Sequence, residues 1–392
     1  MLPKLMLSKP MLSKPMLSKP MFSRPMFSRH CSPQHLLISR VDAIGDVVLT
    51  LPLLGLLKQA HPQMRVTFLG RGYTRAVLEA CVHVDAIVDF DELEQLPEAE
   101  QIRTVAALNC DAVLHVFPHR AVAKLCDRVG IARRLGTAHR WYHVRYCNRL
   151  TMMGRSRTAW HEAQLNVQLA QRLGLLVSDE HNEPPALQEL AQYYGLSVSA
   201  YWPEGLSHAN TLPTSLSIPA DSGDRYSMRD RRVIVHPGSR GSARNWPITH
   251  FVELVERLLA EGAQVYVTGT EAEGVGFRRD FAPVFERGAL DMTGCLSLEQ
   301  LLGFIQAADA LVAASTGPLH VAAALGKVAL GIYPPLRPMH AGRWGPLGPQ
   351  AMALTAGDAL CTACRQTDKM CACMAAVSPD RVAETLRSVV GK

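Results

Sequence analysis

Residues 35–70 read HLLISRVDAIGDVVLTLPLLGLLKQAHPQMRVTFLG. HLLIS (35–39) is an apolar run of strand length, and RVTFL (65–69) is a second. Between them, a loop at 40–45 leads into an apolar segment at 46–60 that reads as a helix. A strand, a helix and a strand in this order form a βαβ unit, whose two strands run parallel because the helix carries the chain back. The rhythm continues outward. A helix at 75–80 and strands at 86–88 and 112–116 follow. A helix at 161–174 places Leu165, Leu169 and Leu173 on one face and stops at Gly174.

The second half restarts the pattern. RVIVH (232–236) and QVYVT (264–268) are strands, separated by a helix at 249–261 with Phe251, Val255, Leu258 and Leu259 on one face. Ser297 and Gln300 have capping-box spacing for a helix at 298–308. A strand at 310–313, a helix at 318–325 closed by Gly326, a strand at 328–332 and a last helix at 379–390 complete the series. Alternation of this kind predicts an α/β protein with parallel sheets covered on both faces. Residues 196–231 are rich in Ser, Pro, Asp and Gly without a sustained period, so they read as a linker. The expected organisation is a tail at 1–34, a Rossmann-like domain at 35–195, the linker at 196–231, a second Rossmann-like domain at 232–378, and a closing helix at 379–392.

The chain has 392 residues, 48% of them hydrophobic, which is enough for two cores. Its longest apolar stretch, 47–57, is too short to cross a bilayer. The net charge of +6 belongs to the tail: six basic residues and no acid lie in the first 30, and the rest carries 35 bases against 35 acids. A protein wrapped in positive charge for nucleic acid is therefore disfavoured. The tail repeats MLSKP and MFSRP, and a proline every five residues prevents a regular helix. Two readings stand for it: a basic arm against anionic lipid, or a repeated coding segment with the start at Met21 or Met26. Without an apolar h-region it is no secretory signal, so the cysteines are expected to be reduced and the protein cytoplasmic.

Three loops at strand ends carry the candidate chemistry. In RVDAIGD (40–46), Gly45 permits a tight turn and Asp46 opens a helix. The carboxylate is suited to accept a proton from a hydroxyl, and equally to cap the helix. In STGPLH (315–320), Ser315, Thr316 and Gly317 precede a helix start whose free N–H groups suit a diphosphate, with His320 on the first turn. An ordinary cap is the plainer reading. In HPGSRGSARNWP (236–247), glycines allow close approach and Arg240 and Arg244 suit a phosphate. A solvated loop would look the same.

Four motifs in this order and spacing, RVDAIGDVVLTLP (40–52), HPGSRGSARNWP (236–247), VTGTEAE (267–273) and STGPLHVAAALG (315–326), resemble glycosyltransferase family 9, the ADP-heptose:lipopolysaccharide heptosyltransferases. The resemblance covers residues 36–390. It implies a GT-B fold, two Rossmann-like domains facing each other across a cleft, and an inverting transfer of heptose from ADP-heptose to a lipopolysaccharide core or related glycoconjugate. Asp46 matches the family's catalytic base. Ser315, Thr316, Gly317 and His320 match its diphosphate loop, Ser239 a hydroxyl beside the phosphates, and Glu273 an acid at the nucleoside, with Glu271 as its rival. Arg244 stands where many members carry Lys, and Ser315 where some carry Asp, a loss that loosens the tie to ADP-heptose. The rivals are a GT-B enzyme using another nucleotide sugar, a sugar-nucleotide epimerase, and a non-catalytic scaffold. A nicotinamide-binding fingerprint is not met, because Gly70-Arg-Gly72 lacks its third glycine.

No cofactor is needed for such a transfer, since a helix dipole and cations can hold the leaving diphosphate. Asp89-Phe-Asp91 looks like the metal-binding DxD of GT-A enzymes, but it falls in the half without the diphosphate loop. Residues 128–161 hold eight arginines and no acid, with Trp141, Tyr142, Tyr146 and Trp160 among them. Arg133, Arg134 and Arg140 are the candidates to bind an anionic glycolipid acceptor at the inner face of a membrane. A solvated face balanced by nearby glutamates is the alternative. Cys361, Cys364, Cys371 and Cys373 cluster near the C-terminus. A structural iron or zinc site, free thiols and disulfides are all open readings.

Overall fold

The computed structural model describes residues 32–155, 158–177, 183–203, 206, 227–357, 361 and 371–390. They form two compact units. The first comprises the chain up to Asp42, Leu53–Gly154 and Asn166–Pro184; the second comprises Ala43–Pro52, Arg155–Leu165 and Pro185–Lys392.

The first unit is a six-stranded parallel sheet of β1 (His35–Ser39), β2 (Arg65–Gly70), β3 (Ala86–Asp89), β4 (Ala112–His115), β5 (Arg133–Thr137) and β6 (Arg149–Thr151). Its spatial order is β3-β2-β1-β4-β5-β6, the doubly wound arrangement. β1 is central, its five residues are all buried, and it pairs in register with β2 and β4. That is why HLLIS is apolar without alternation. On one face, Leu37, Leu69, Val88 and Val113 meet Phe90, Leu93, Val105, Val122 and Leu125 from the helices Phe90–Gln95, Glu98–Ala106 and Arg120–Val129.

The second unit repeats the plan with β7 (Arg232–His236), β8 (Gln264–Val267), β9 (Leu290–Asp291), β10 (Ala310–Ala314), β11 (Val328–Ile332) and β12 (Ala351–Leu354). All its pairings are parallel, in the order β12-β11-β10-β7-β8-β9. Numbered from its own first strand, this is the same order as in the first unit. Val233, Val235, Val312 and Leu330 pack with Phe251, Leu254, Leu258 and Trp246. The closing helix Pro379–Val390 contributes Val382, Ala383 and Leu386 to this core, so it is an integral part of the unit.

Four expectations are corrected. The helix expected at 46–60 is two, Ile44–Val48 and Leu51–Ala60, parted by a turn in which Thr50 N–H reaches Val47 carbonyl. Pro52, which has no N–H and restricts the residue before it, sits at the start of the second. The boundary at 195 is not a division of contacts, because the second unit takes in two segments from the first half and everything from Pro185 on. The linker at 196–231 begins with ordered packing. Tyr201 N–H donates to Gly303 carbonyl, and Trp202 sits 4.9 Å from Phe304 and 5.2 Å from Tyr266 between ring centroids. Gly303 is required there, since a Cβ would stand 2.5 Å from Tyr201 Cβ. The rest of the linker, 204–205 and 207–226, and the tail to residue 31 lie outside the described residues. Finally, β5, β6, β9 and β12 are strands that the pattern did not signal.

Candidate functional site

In the second sheet the order reverses between β7 and β10. An open parallel sheet presents its ligand crevice at such a reversal, beyond the carboxyl ends of the strands. The loops leaving those two strands are residues 236–247 and 315–316.

β10 runs into Ser315 and Thr316, and the helix Gly317–Ala324 begins at once with Pro318 in its first turn. First-turn N–H groups have no partner inside a helix, so together with the helix dipole they favour an anion; Pro318 contributes none. Ala43–Pro52, which carries Asp46, belongs to this same unit. A Cβ on Gly317 would stand 2.9 Å from Ile44 Cβ, and a Cβ on Gly45 would stand 2.8 Å from His320 Cδ2. Two glycines thus let two helix starts touch. Asp46 is half-buried in the first turn of Ile44–Val48, one residue beyond Gly45. The N-cap of that helix is Ala43, not Asp46. The Asp46 carbonyl accepts the Thr50 hydroxyl at 2.8 Å, which fixes the turn behind it.

His320 is buried, and desolvation pushes its pKa down to about 3. It is neutral at physiological pH. Its Nδ1 and the Thr316 hydroxyl are buried and have no hydrogen-bond partner among the described residues. Buried polar atoms are normally bonded, so this pair sets the helix start apart from an ordinary cap; Thr316 makes no side-chain cap bond. Ser315 bonds the Tyr333 hydroxyl, which donates to Trp344 carbonyl at 2.6 Å.

A buried ion cluster lies in the same unit. Glu162, 1% exposed, accepts from Arg155 Nη1 and Arg343 Nη2, each at 2.5 Å. Its neighbour His161 receives Ala163 N–H on Nδ1 and donates from Nε2 to Gly345 carbonyl at 2.9 Å, which fixes a neutral tautomer. Burial lowers the pKa of His161 in keeping with this. Sequence reading missed Glu162, Arg155, Arg343, His161 and Tyr333. One signal was available for Glu162: it is the first carboxylate after the acid-free run at 128–161.

The second loop is shaped by a sharp turn in which Arg240 and Gly241 take φ of 49° and 78°. Ser239, buried, donates to Ala243 carbonyl at 3.2 Å, and its own carbonyl receives Ser242 N–H and hydroxyl. Arg244 follows, half-buried. Trp246 anchors the loop through Nε1–H to Val377 carbonyl at 2.9 Å. Glu273 closes a capping box with Thr270 and also receives Arg240 N–H at 3.4 Å. Burial pushes its pKa up, but the Thr270 bonds, the His236 charge and the Arg240 N–H outweigh this and hold it below the carboxylate range. Gly238 makes the approach feasible, because a Cβ there would meet Glu273 Oε1 at 2.2 Å. Glu271 is engaged by Arg278 instead. The strand end, the 239–242 turn and Glu273 therefore form one connected piece.

Arg133, Arg134 and Arg140 belong to the first unit. Arg133 pairs with Asp111 at 3.3 Å. Arg134 donates to Tyr146 and Ile131 carbonyls at 2.7 and 2.6 Å and pairs with Asp127 at 2.9 Å. Arg140 is exposed at the start of the helix Trp141–Tyr146. Asp89 and Asp91 are occupied structurally. Asp89 caps the helix Phe90–Gln95 through Asp91 and Glu92 N–H, and Asp91 takes Arg71 Nη1 at 2.5 Å and Gly72 N–H at 2.9 Å. Cys361, Cys371 and Cys373 all pack against the core of the second unit, while Cys364 lies outside the described residues. Among the described residues, no three ligand-type side chains gather so that they could hold a metal.

The description Glycosyltransferase family 9 (heptosyltransferase) matches residues 185–375. A Haemophilus influenzae protein provisionally named a glycosyltransferase is 26% identical over 325 residues, 80% of this chain and 86% of that protein. Lipopolysaccharide heptosyltransferase 2 of Salmonella typhimurium is 30% identical over 119 residues, 29% of this chain and 34% of that enzyme. The structure of the Escherichia coli ADP-heptose lipopolysaccharide heptosyltransferase II superposes with a TM-score of 0.69 at 20% identity, over 91% of this chain and 98% of that one. The two Rossmann-type units are those of a GT-B fold.

Proposed function

We propose that the chain is a glycosyltransferase of family 9 and that it transfers heptose from ADP-heptose to a lipopolysaccharide core or a related glycoconjugate, with inversion at the anomeric carbon. The observation that carries this reading is the contact of Gly45 with His320 and of Ile44 with Gly317. It supports the reading because the helix that carries Asp46 and the start of Gly317–Ala324 then pack against each other within one unit. Asp46 takes the proton of an acceptor hydroxyl, whose oxygen attacks the anomeric carbon from the face opposite the nucleotide. The bond to the diphosphate breaks, and the negative charge that develops there is received by the first-turn N–H groups of Gly317–Ala324. Ser315 and the Thr316 hydroxyl stand beside that charge, with neutral His320 behind. Ser239 and Arg244 fill the phosphate side of the 236–247 loop. Glu273 holds that loop in shape and faces the nucleoside.

The curated heptosyltransferase 2 relatives are matched over about a third of their length, so donor and acceptor are the parts to test. On the acceptor side, Arg134 has its guanidinium engaged within the first unit, which leaves Arg140 as the exposed charge for an anionic acceptor. Such an acceptor places the reaction at the inner face of a membrane. No helix among the described residues is long and apolar enough to cross one. The mechanism uses no metal, and the C-terminal cysteines enter no step of it. Metal analysis of the purified protein tests whether Cys364 joins the other three in a structural site.

The deciding experiment is a panel of nucleotide sugars scored by thermal shift and nucleotide release. ADP-heptose is expected to give both, and Asp46→Asn to keep the shift while losing roughly 10²-fold or more in turnover. A response confined to UDP- or GDP-sugars refutes the donor. An active Asp46→Asn variant refutes the base.

A further inference from the structure

The helix Trp141–Tyr146, the strand β6 that follows it and Met152 just beyond turn large apolar side chains outward. Trp141 is 61% exposed, Val144 57%, Leu150 37% and Met152 67%. Trp141, Val144 and Arg145 are spaced i, i+3 and i+4, so they share one helix face. The opposite face is spent on packing: His143 and Cys147 are buried, and the Tyr142 hydroxyl donates to Pro118 carbonyl. Guanidinium groups frame the apolar side chains. Arg120 lies 5.0 Å over the Trp141 ring, and Arg140, Arg145 and Arg149 are all exposed. No acid occurs from 128 to 161, and the carboxylates that flank the run are already taken, Asp127 by Arg134 and Glu162 by Arg155 and Arg343, as is Asp111 by Arg133. β6 is the edge of its sheet.

We propose that this face docks the protein on an anionic phospholipid bilayer, with Trp141, Val144, Leu150 and Met152 entering the headgroup region and the arginines pairing with lipid phosphates. Tryptophan prefers this depth because its ring is apolar and its N–H is polar. Uncompensated guanidinium charge selects an anionic over a zwitterionic surface. The absence of acids favours lipid over a second copy of this chain, because two such faces would repel. The proposal deepens the reading of a glycolipid acceptor by naming the surface that meets its membrane, and it rests on that reading only for its biological setting.

The test is flotation of the full-length protein with vesicles of phosphatidylethanolamine and phosphatidylglycerol, against phosphatidylcholine alone, at low and high salt. Binding is expected only to the anionic vesicles and is expected to weaken with salt. Arg145→Gln with Arg149→Gln should weaken it roughly 25-fold, since each surface arginine contributes about fivefold. Val144→Ser with Met152→Ser should weaken it as well. Doxyl-lipid quenching of tryptophan fluorescence should be lost in Trp141→Phe. All these positions are exposed, so unchanged thermal melts check that the variants fold. Equal binding to both vesicle types, or variants that bind like the parent, overturns the proposal. So does concentration-dependent dimerisation that Val144→Ser with Met152→Ser abolishes, because the face then belongs to a second copy. Turnover on a delipidated, water-soluble acceptor should not change in these variants. A failure of docking is thereby separated from a failure of the heptosyl-transfer reading.

Discussion

Gly45→Ala adds one methyl group at a point where the two helix starts already touch. The new Cβ would lie 2.8 Å from His320 Cδ2 and 3.5 Å from its Nε2. Carbon atoms settle at about 3.5–4 Å, so roughly 0.7–1.2 Å of movement is demanded. His320 is 3% exposed and has little room to give it. Overpacking of this kind costs about 1–3 kcal/mol. Against it stands the gain from replacing glycine inside a helix, about 0.5–1 kcal/mol. The net expectation in urea melts is a loss of about 0–2.5 kcal/mol. Turnover should suffer more, because Asp46 is the next residue and a displacement of about 1 Å can cost on the order of 10²-fold. The decisive background is His320→Ala, which removes the ring. There Gly45→Ala should become stabilising by about 0.5–1 kcal/mol, and turnover should stay at the level of His320→Ala alone. An equal cost in both backgrounds would refute the claim that this contact positions the base.

The second unit should lose stability in acid. His236 is pushed down to about 4 and His320 to about 3, chiefly by burial, from an ordinary value of 6.5. Between those values the unfolded chain binds more protons, so stability is complete above pH 6.5 and falls as the pH drops toward 4. The pair contributes up to about 2.7 kcal/mol per pH unit. Urea midpoints from pH 7.5 to 5 check this, and His320→Gln should roughly halve the slope; a flat profile rejects it. Trp246→Phe keeps the ring packing but strands Val377 carbonyl, for a loss of about 1–3 kcal/mol by thermal melt. Asp89→Ala removes a helix cap at a cost of about 1 kcal/mol. Because Asp89 and Asp91 act as cap and ion pair, EDTA should leave turnover unchanged, whereas loss of turnover on chelation would restore the metal reading.

The strands legible in the sequence were those buried on both faces, where an apolar run has no competing explanation. β1, β2, β7, β8, β10 and β11 are of this kind, as their burial in the sheets confirms. β5 and β6 begin with arginine, and their charge read as a binding patch instead. In β5 that charge is answered by Asp111 and Asp127, which are distant in sequence from the residues they pair with or lie outside the strand, so no local pattern could reveal them. β9 has only two residues, and β12 is half-exposed. Asp46 and the 315–320 loop were legible as separate motifs. Only the family resemblance implied that they serve one site; their packing through Gly45 and Gly317, small at the same place, is a fact of three dimensions that no local pattern carries. Glu162 was hidden for a related reason: its partners Arg155 and Arg343 are 188 positions apart.

The allocation of Ala43–Pro52 to the second unit has a mechanistic consequence. In sequence, Asp46 follows β1 and would be counted as part of the acceptor half. In contacts, it belongs with the helix start proposed to receive the diphosphate. The proposed proton acceptor and leaving-group site therefore keep their mutual geometry through packing within one unit, whatever the first unit does. Inverting displacement requires these two groups to act on opposite sides of one carbon in the same instant, and tolerance in their spacing is what the reaction can least accommodate. A glycine pair that brings the two backbones to van der Waals contact, locked beneath by a buried neutral imidazole, is a rigid way to meet that demand. On this argument the first unit is free to vary its arginine-rich surface to suit an acceptor or a membrane, while the chemistry stays in the second.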